Sequence, residues 1–368
     1  MVNMIAKEDV NTGRQFEFDV AKFFALFFMV IIHVSSNLSV WSGAMALQSF
    51  IYLLIVFGGT SLSAPVFMVA MGVGMVYTKH NSPKDFACRG VKLLLSGYAL
   101  NFFRETILII IANGLKLQVN LPRDLISSIG FVDILQLAGM SFLLMALIKK
   151  ASSNIRVIVC VAFLLQALGT LFIGFFQSAP MPLQYIVGLL FYTNDYTSFS
   201  ATAWFIYPAL GVCFAYLLRR VNDKHRFYRS VLWISATLLL SVTICSYAMG
   251  IEITSYFVLP AYYQQGFLSS LLNLSVVGIA LSLYYYLSCL IKGRLKNVIK
   301  YISANINVIY IAQWLLIAYS YLGKELLELP DLAPGWVIPT GVLFSIICIL
   351  IMYGWNHIKS IFRIQATK

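Results

Sequence analysis

Charge is scarce in this sequence: Asp, Glu, Lys and Arg together make up 11% of 368 residues. Soluble domains carry about a quarter, so a surface wetted on all sides is excluded. Acid is scarcer than base, 14 Asp and Glu against 26 Lys and Arg, for a net charge of +12. Cysteine is also sparse. Cys88, Cys160, Cys213, Cys245, Cys289 and Cys348 form no CxxC and none sits at ligand spacing from a histidine. Neither a disulfide framework nor a metal site is indicated, and the six read as small packing residues. The sequence shows no soluble domain, no low-complexity linker, no obvious repeat and no inverted symmetry of the transporter kind. No cleavable signal peptide is expected, because the first apolar run is too long and lacks a small-residue cleavage site.

What is abundant is apolar. Hydrophobic residues are 60% of the chain and the mean hydropathy is +0.83. Ten segments reach the roughly 20 residues that a bilayer requires: 20–40, 60–78, 90–112, 128–148, 155–176, 200–218, 228–249, 267–290, 301–322 and 336–356. The predicted fold is all-α, a polytopic helical bundle of about ten transmembrane helices. Residues 47–58 are apolar but short, and Gly58, Gly59 and Pro65 interrupt the run beyond them. They read as an interfacial or re-entrant piece, as do residues 183–192.

Orientation is set by the basic residues. One side collects Lys7 and Arg14, Lys79 to Lys92, Lys149 to Arg156, Arg219 to Arg229, Lys292 to Lys300, and Lys359 to Lys368. The other keeps Arg104, Lys116, Arg123 and Lys324. The bias holds at every loop and places both termini in the cytoplasm, with 1–17 as an N-terminal segment and 357–368 as a tail on one membrane body, 1–368. Cations dispersed over many edges, without a stripe of stacking aromatics, do not suit nucleic acid.

Three ionisable residues interrupt the first span, DVAKFFALFFMVIIHVSS: Asp19, Lys22 and His33. Eleven residues are three turns plus about 20°, so Lys22 and His33 share a helix face roughly 16 Å apart. An ionisable group at such depth is costly unless it faces protein or water, so the stripe marks a polar groove. Asp19 and Lys22, three apart, can pair across one turn; an anchoring salt bridge with Lys22 snorkelling is the plainer reading. His33 has no charged neighbour in sequence. It is either a buried structural imidazole or a general base taking a proton from a hydroxyl or amine.

The stretch RQFEFDVAKFFALFFMVIIHV resembles the first-helix signature of the transmembrane acyltransferase superfamily. Its Lys22, ten residues, then His33 matches the acyltransferase-3 branch. Arg14, Asp19 and Lys22 resemble the R-x4-D-x2-R-G opening of the heparan-α-glucosaminide N-acetyltransferase-like branch, with Lys22 for Arg and Phe23 for Gly. Further stretches are similar in order: SAPVFMVAMGVGMVYT (63–78), then Arg89 and Lys92, GFVDILQLAGMSFLLMAL (130–147), TAWFIYPALGVCFAYLLRR (202–220) and ISANINVIYIAQWLLI (302–317). Leu137 stands where an Arg is common, and Gln313 where the family places a His.

The resemblance implies acyl transfer, usually of acetyl, from a cytoplasmic acyl-CoA used as co-substrate, with no tightly bound cofactor. The acceptor would be a hydroxyl or amine of a cell-surface glycan or lipid-linked saccharide. His33 would deprotonate the acceptor, with Asp19 orienting Lys22 or Arg14; a covalent acyl-histidine is the second option. Arg14, Lys22, Arg89 and Lys92 would meet the CoA phosphates. Asp133, Gln136, Asn305 and Gln313 are candidates for the acceptor side, or are hydrogen-bonding glue between helices; Trp204 is a further candidate, or belongs to an interfacial belt. Tyr263, within the run Tyr262 to Gln265, suits a sugar ring or belongs to an interfacial belt. Adjacent Arg104 and Glu105 either pair with other helices or contact the acceptor. A bacterial plasma membrane is the expected location, with a homodimer as an option. The alternative is a proton-coupled transporter or lipid flippase, in which Lys22, His33 and Asp133 would relay protons.

Overall fold

The computed structural model describes residues 4–40, 50–116, 125–152, 154–193 and 196–366. Among these there are helices and isolated bridges but no strand. The helices are α1 (Phe16–Leu38), α2 (Phe50–Thr60), α3 (Ala64–Tyr77), α4 (Pro83–Asn101), α5 (Ile107–Gly114), α6 (Leu125–Gly130), α7 (Ile134–Ala151), α8 (Ile155–Leu171), α9 (Met181–Gly188), α10 (Ala201–Trp204), α11 (Ile206–Arg219), α12 (Lys224–Ala248), α13 (Ala261–Gln264), α14 (Phe267–Leu290), α15 (Gly293–Ala304), α16 (Ile306–Leu326) and α17 (Val337–Ala366). Nine helical stretches of the described residues are long and apolar enough to cross a membrane, and α8 is a shorter tenth. The protein is a polytopic helical membrane protein. The start of α1 and the later part of α17 both meet α15 and the residue after it: Asp19 accepts from Ser303, and Asn356 donates to Asn305.

Two departures from the sequence reading matter for function. The stretch read at 47–58 does not stand apart: Phe50 to Tyr77 forms one apolar passage of 28 residues. Alone, α3 spans about 21 Å at 1.5 Å per residue, short of the roughly 30 Å hydrocarbon core. Helix α2 completes it, and the passage breaks at Ser61–Ser63, just before Pro65. The second departure lies in the third passage. Between α4 and α5 the chain widens into a π-helical turn, Phe102–Thr106, a feature that re-aims side chains and recurs at functional sites. In the other short apolar run, α9 covers only about 12 Å. Residues 47–49, Arg123 and Lys368, used in the sequence reading, lie outside the described residues.

Tight helix pairs hold the frame. A Cβ on Gly72 of α3 would overlap the carbonyl of Pro208, and one on Gly211 of α11 would overlap that of Val69. Only hydrogen at both positions lets these backbones touch, the usual mode of close association between membrane helices. At the end where α1 begins, the N-terminal segment is tied down. Ile5 bridges Val221, Ala6 N–H donates to the Arg220 carbonyl at 2.6 Å, and Asn222 N–H donates to Met4 at 2.9 Å. Glu17 accepts from Lys224 Nζ at 2.7 Å and from the Tyr228 hydroxyl at 3.1 Å; Lys224 also donates to Gln15.

Candidate functional site

The first helix carries His33 toward its far end, where it lines a cavity of about 380 Å³. The imidazole is half-buried and belongs neither to a sealed core nor to the outer face. Its Nδ1 lies 3.4 Å from Gln313 Nε2, and its ring lies against Trp314 with centroids 4.0 Å apart. Gln313 is fully buried, and its Oε1 has no hydrogen-bond partner among the described residues. An amide can offer either its N–H or its carbonyl oxygen to a ring nitrogen. With the oxygen turned to Nδ1, that nitrogen keeps the proton and Nε2 carries the basic lone pair.

A buried charge pair stands behind the imidazole. Arg104 Nη1 donates to Asp133 Oδ2 at 2.7 Å, and Arg104 Nε lies 3.3 Å from Glu105. The guanidinium packs on the Trp314 ring, 4.3 Å from its centroid. Trp314 Nε1–H donates to the Tyr310 hydroxyl at 2.8 Å, and that hydroxyl donates to Asp133 at 3.4 Å. Local chain geometry explains how each residue arrives. The π turn swings Arg104 inward, and Tyr319 donates to the Phe103 carbonyl at 3.1 Å, fastening that turn to α16.

Asp133 closes a non-helical stretch, 131–133, that precedes α7. Backbone polar groups at such depth need partners inside the protein, and they have them. Val132 exchanges hydrogen bonds of 2.9 Å with Tyr196 and Ser198, while Asn101 Nδ2 donates to the Phe131 carbonyl at 2.7 Å. Asp133 Oδ1 accepts from Ile134 N–H at 2.8 Å, and Gln136 completes the capping box through the Asp133 N–H at 3.2 Å. Both carboxylate oxygens are therefore engaged, so Asp133 is placed to position its neighbours and poorly placed to accept a substrate proton.

The sequence candidates divide by location. His33, Asp133 and Tyr263 line the cavity, together with Tyr262 and Tyr310; Gln313 touches His33. Gln136 and Trp204 lie behind this layer. Gln136 Nε2 donates to Phe131, and Trp204 Nε1 donates to the Tyr263 carbonyl at 3.0 Å, bracing the aromatic wall. Asn305 is elsewhere, accepting from Asn356 Nδ2 at 2.9 Å and donating to the Tyr301 carbonyl at 2.9 Å, which is helix-to-helix glue.

Lys22 lies toward the opposite end of α1, with Arg14, Asp19 and Arg89 each within coulombic reach of it. Asp19 does not pair with Lys22. Arg14 folds back and grips it with Nε and Nη2, both at 2.8 Å, because a forked guanidinium matches a carboxylate's two oxygens better than a lone ammonium. Ser303 Oγ donates to the same carboxylate at 2.7 Å. This hydrogen-bonded carboxylate raises the Arg14 pKa above its ordinary value. Lys22 makes no hydrogen bond or ion pair among the described residues, and it does not line the cavity that holds His33. Arg89 packs over Phe142, 4.8 Å from the ring centroid, and Lys92 is exposed.

Fold and site together define a polytopic membrane protein with a cavity between its helices, lined by an imidazole and by the carboxylate of a buried ion pair. The chain belongs to the heparan-alpha-glucosaminide N-acetyltransferase catalytic family, whose model matches residues 14–241. Of the two branches that the sequence resembles, the match falls on this one and not on acyltransferase-3. No curated protein matches the chain. The matched region holds His33, Arg104 and Asp133; Tyr310, Gln313 and Trp314, which complete the site, come from α16 beyond it. The protein is thus a membrane acyltransferase by family. Tyr310 was legible only as part of a motif, and nothing in sequence spacing links Arg104 to Asp133.

Proposed function

We propose that the protein moves an acetyl group from acetyl-CoA to an amine or hydroxyl of a saccharide, with the acceptor in the His33 cavity. The nucleotide end of the donor binds at the opposite, cytoplasmic end of α1, where Arg14, Lys22 and Arg89 supply positive charge and Lys22 has no other partner among the described residues. The roughly 16 Å along α1 from Lys22 to His33 is near the length of an extended pantetheine arm.

His33 takes the acceptor proton as the acceptor atom attacks the thioester carbonyl. The new C–N or C–O bond forms, the C–S bond breaks, and the thiolate leaves to be protonated by the imidazolium. A general base placed in this way contributes about 10² to 10⁴ in rate. The observation that carries the reading is the pairing of roles at the cavity wall: His33 faces the space while Asp133 is already committed to Arg104. A volume of about 380 Å³ suits a saccharide unit, and Tyr262 and Tyr263 offer the aromatic faces on which sugar rings stack.

The test is transfer of radiolabelled acetyl from acetyl-CoA to a glucosamine-terminated oligosaccharide by the protein in nanodiscs. His33→Asn should lower kcat at least about 10²-fold with the helical content unchanged. A variant that acetylates at the wild-type rate removes His33 from the mechanism.

A further inference from the structure

Two helices begin at the wall of the His33 cavity, and they begin differently. Helix α7 starts beside Asp133, whose own carboxylate occupies the N-terminus. Helix α3 starts at Ala64, directly after the break inside the second passage, and no side chain caps its end. Ser63 is its N-cap residue but makes no side-chain cap hydrogen bond. The first N–H groups of any helix lack intrahelical acceptors. Pro65 removes one of them and Phe67 N–H donates to the Ser63 carbonyl at 2.9 Å, so Ala64 and Val66 carry the other N–H groups of the first turn. The 14-residue helix also places the positive end of its dipole there.

A second observation points to a ligand. The Ser63 side chain belongs to a residue only 1% exposed, lines the cavity, and its hydroxyl has no hydrogen-bond partner among the described residues. Ser35, 2% exposed and on the same cavity wall, likewise has a side-chain hydroxyl without a partner among them. A break within a membrane span is tolerated where it lines a cavity, and broken-helix N-termini characteristically face anionic groups.

From this we infer that the open N-terminus of α3, with the Ser63 hydroxyl, is the oxyanion site: it binds the thioester carbonyl oxygen and stabilises the negative charge that develops there. The inference rests on the proposed acetyl transfer. Attack by the acceptor pushes the carbonyl π electrons onto oxygen; collapse returns them as the C–S bond breaks and the thiolate leaves. Fixed donors aimed at that oxygen stabilise the tetrahedral state more than the planar one. His33 and Ser63 thus divide the work across a single cavity, one taking the proton and the other facing the charge. Ser63 is a catalytic residue in this scheme because it touches the reacting carbonyl.

Two measurements test it. Ser63→Ala should lower kcat about 10²-fold with KM for acetyl-CoA within twofold, and Ser63→Thr, which keeps a hydroxyl, should recover most of the rate. Independently of turnover, acetonyl-CoA, a ketone analogue that cannot transfer its acyl group, is bound with a ¹³C-labelled carbonyl. Its infrared stretch should shift to lower frequency in the wild type and in His33→Asn, and lose that shift in Ser63→Ala. Active wild type with unchanged Ser63→Ala kinetics, or a carbonyl frequency equal in wild type and Ser63→Ala, overturns the oxyanion site. Wild type that polarises the carbonyl yet acetylates no saccharide keeps this site and overturns the acceptor assignment instead.

Discussion

Removing one half of the Arg104–Asp133 pair should be far worse than removing both. The residues are 2% and 7% exposed, and their contact is 2.7 Å. Arg104→Met leaves the Asp133 carboxylate in the bundle with the backbone N–H groups of Ile134 and Gln136 and the Tyr310 hydroxyl, and with no cation hydrogen-bonded to it. Stripping one partner from a buried pair costs about 3–5 kcal/mol, or roughly 10² to 10⁴ in the folded-to-unfolded ratio at about 1.4 kcal/mol per decade. Asp133→Asn strands Arg104 with Glu105 alone and should cost a similar amount.

The double variant removes both charges. Asn caps a helix as well as Asp does, so the start of α7 survives. The residual loss is then chiefly the guanidinium on Trp314, about 2 kcal/mol for a desolvated contact. Unfolding each protein in mixed micelles with rising SDS, monitored by helical circular dichroism, gives the cycle directly. The double variant should be more stable than either single one. A double variant whose loss equals the sum of the two single losses would falsify the claim that this pair is a mutually neutralising unit.

Lys22→Ala should raise KM for acetyl-CoA several-fold while leaving kcat near wild type, because a phosphate contact far from the reacting carbonyl contributes uniform binding; equal KM values sink the donor placement. Gly72→Val should prevent normal assembly, since its side chain meets the Pro208 backbone, which cannot rotate away. Size-exclusion profiles in mild detergent read this, and a monodisperse peak at wild-type yield contradicts the close approach of α3 and α11.

The membrane passages were readable because lipid demands long apolar runs, and α14 matches its expected span residue for residue, 267–290. What hydropathy hides is the interruption. Gly58, Gly59 and Pro65 look like the end of one element, whereas the chain stacks α2 on α3 and keeps them in one passage. The π turn at Phe102–Thr106 leaves no periodicity signal in so short a stretch. His33 was legible because an imidazole deep in an apolar run needs a reason. Its partners were not, for they arrive from helices far along the chain: Gln313 is 280 residues away, and Arg104 meets Asp133 across 29. Asn305 matches a family motif, yet its contacts are with Asn356 and Tyr301, so a motif match alone did not distinguish lining from fastening.

The N-terminal clasp has a consequence for biogenesis. Residue 5 bridges residue 221, Glu17 waits 207 residues for Lys224, and Asp19 waits 284 for Ser303. Helix α1 therefore leaves the insertion machinery with two acidic side chains unanswered by these partners: Lys224 follows only after five further apolar helical stretches, and Ser303 after seven. The ribosome's order of delivery thus leaves the earliest helix waiting for partners made in the second half of the chain.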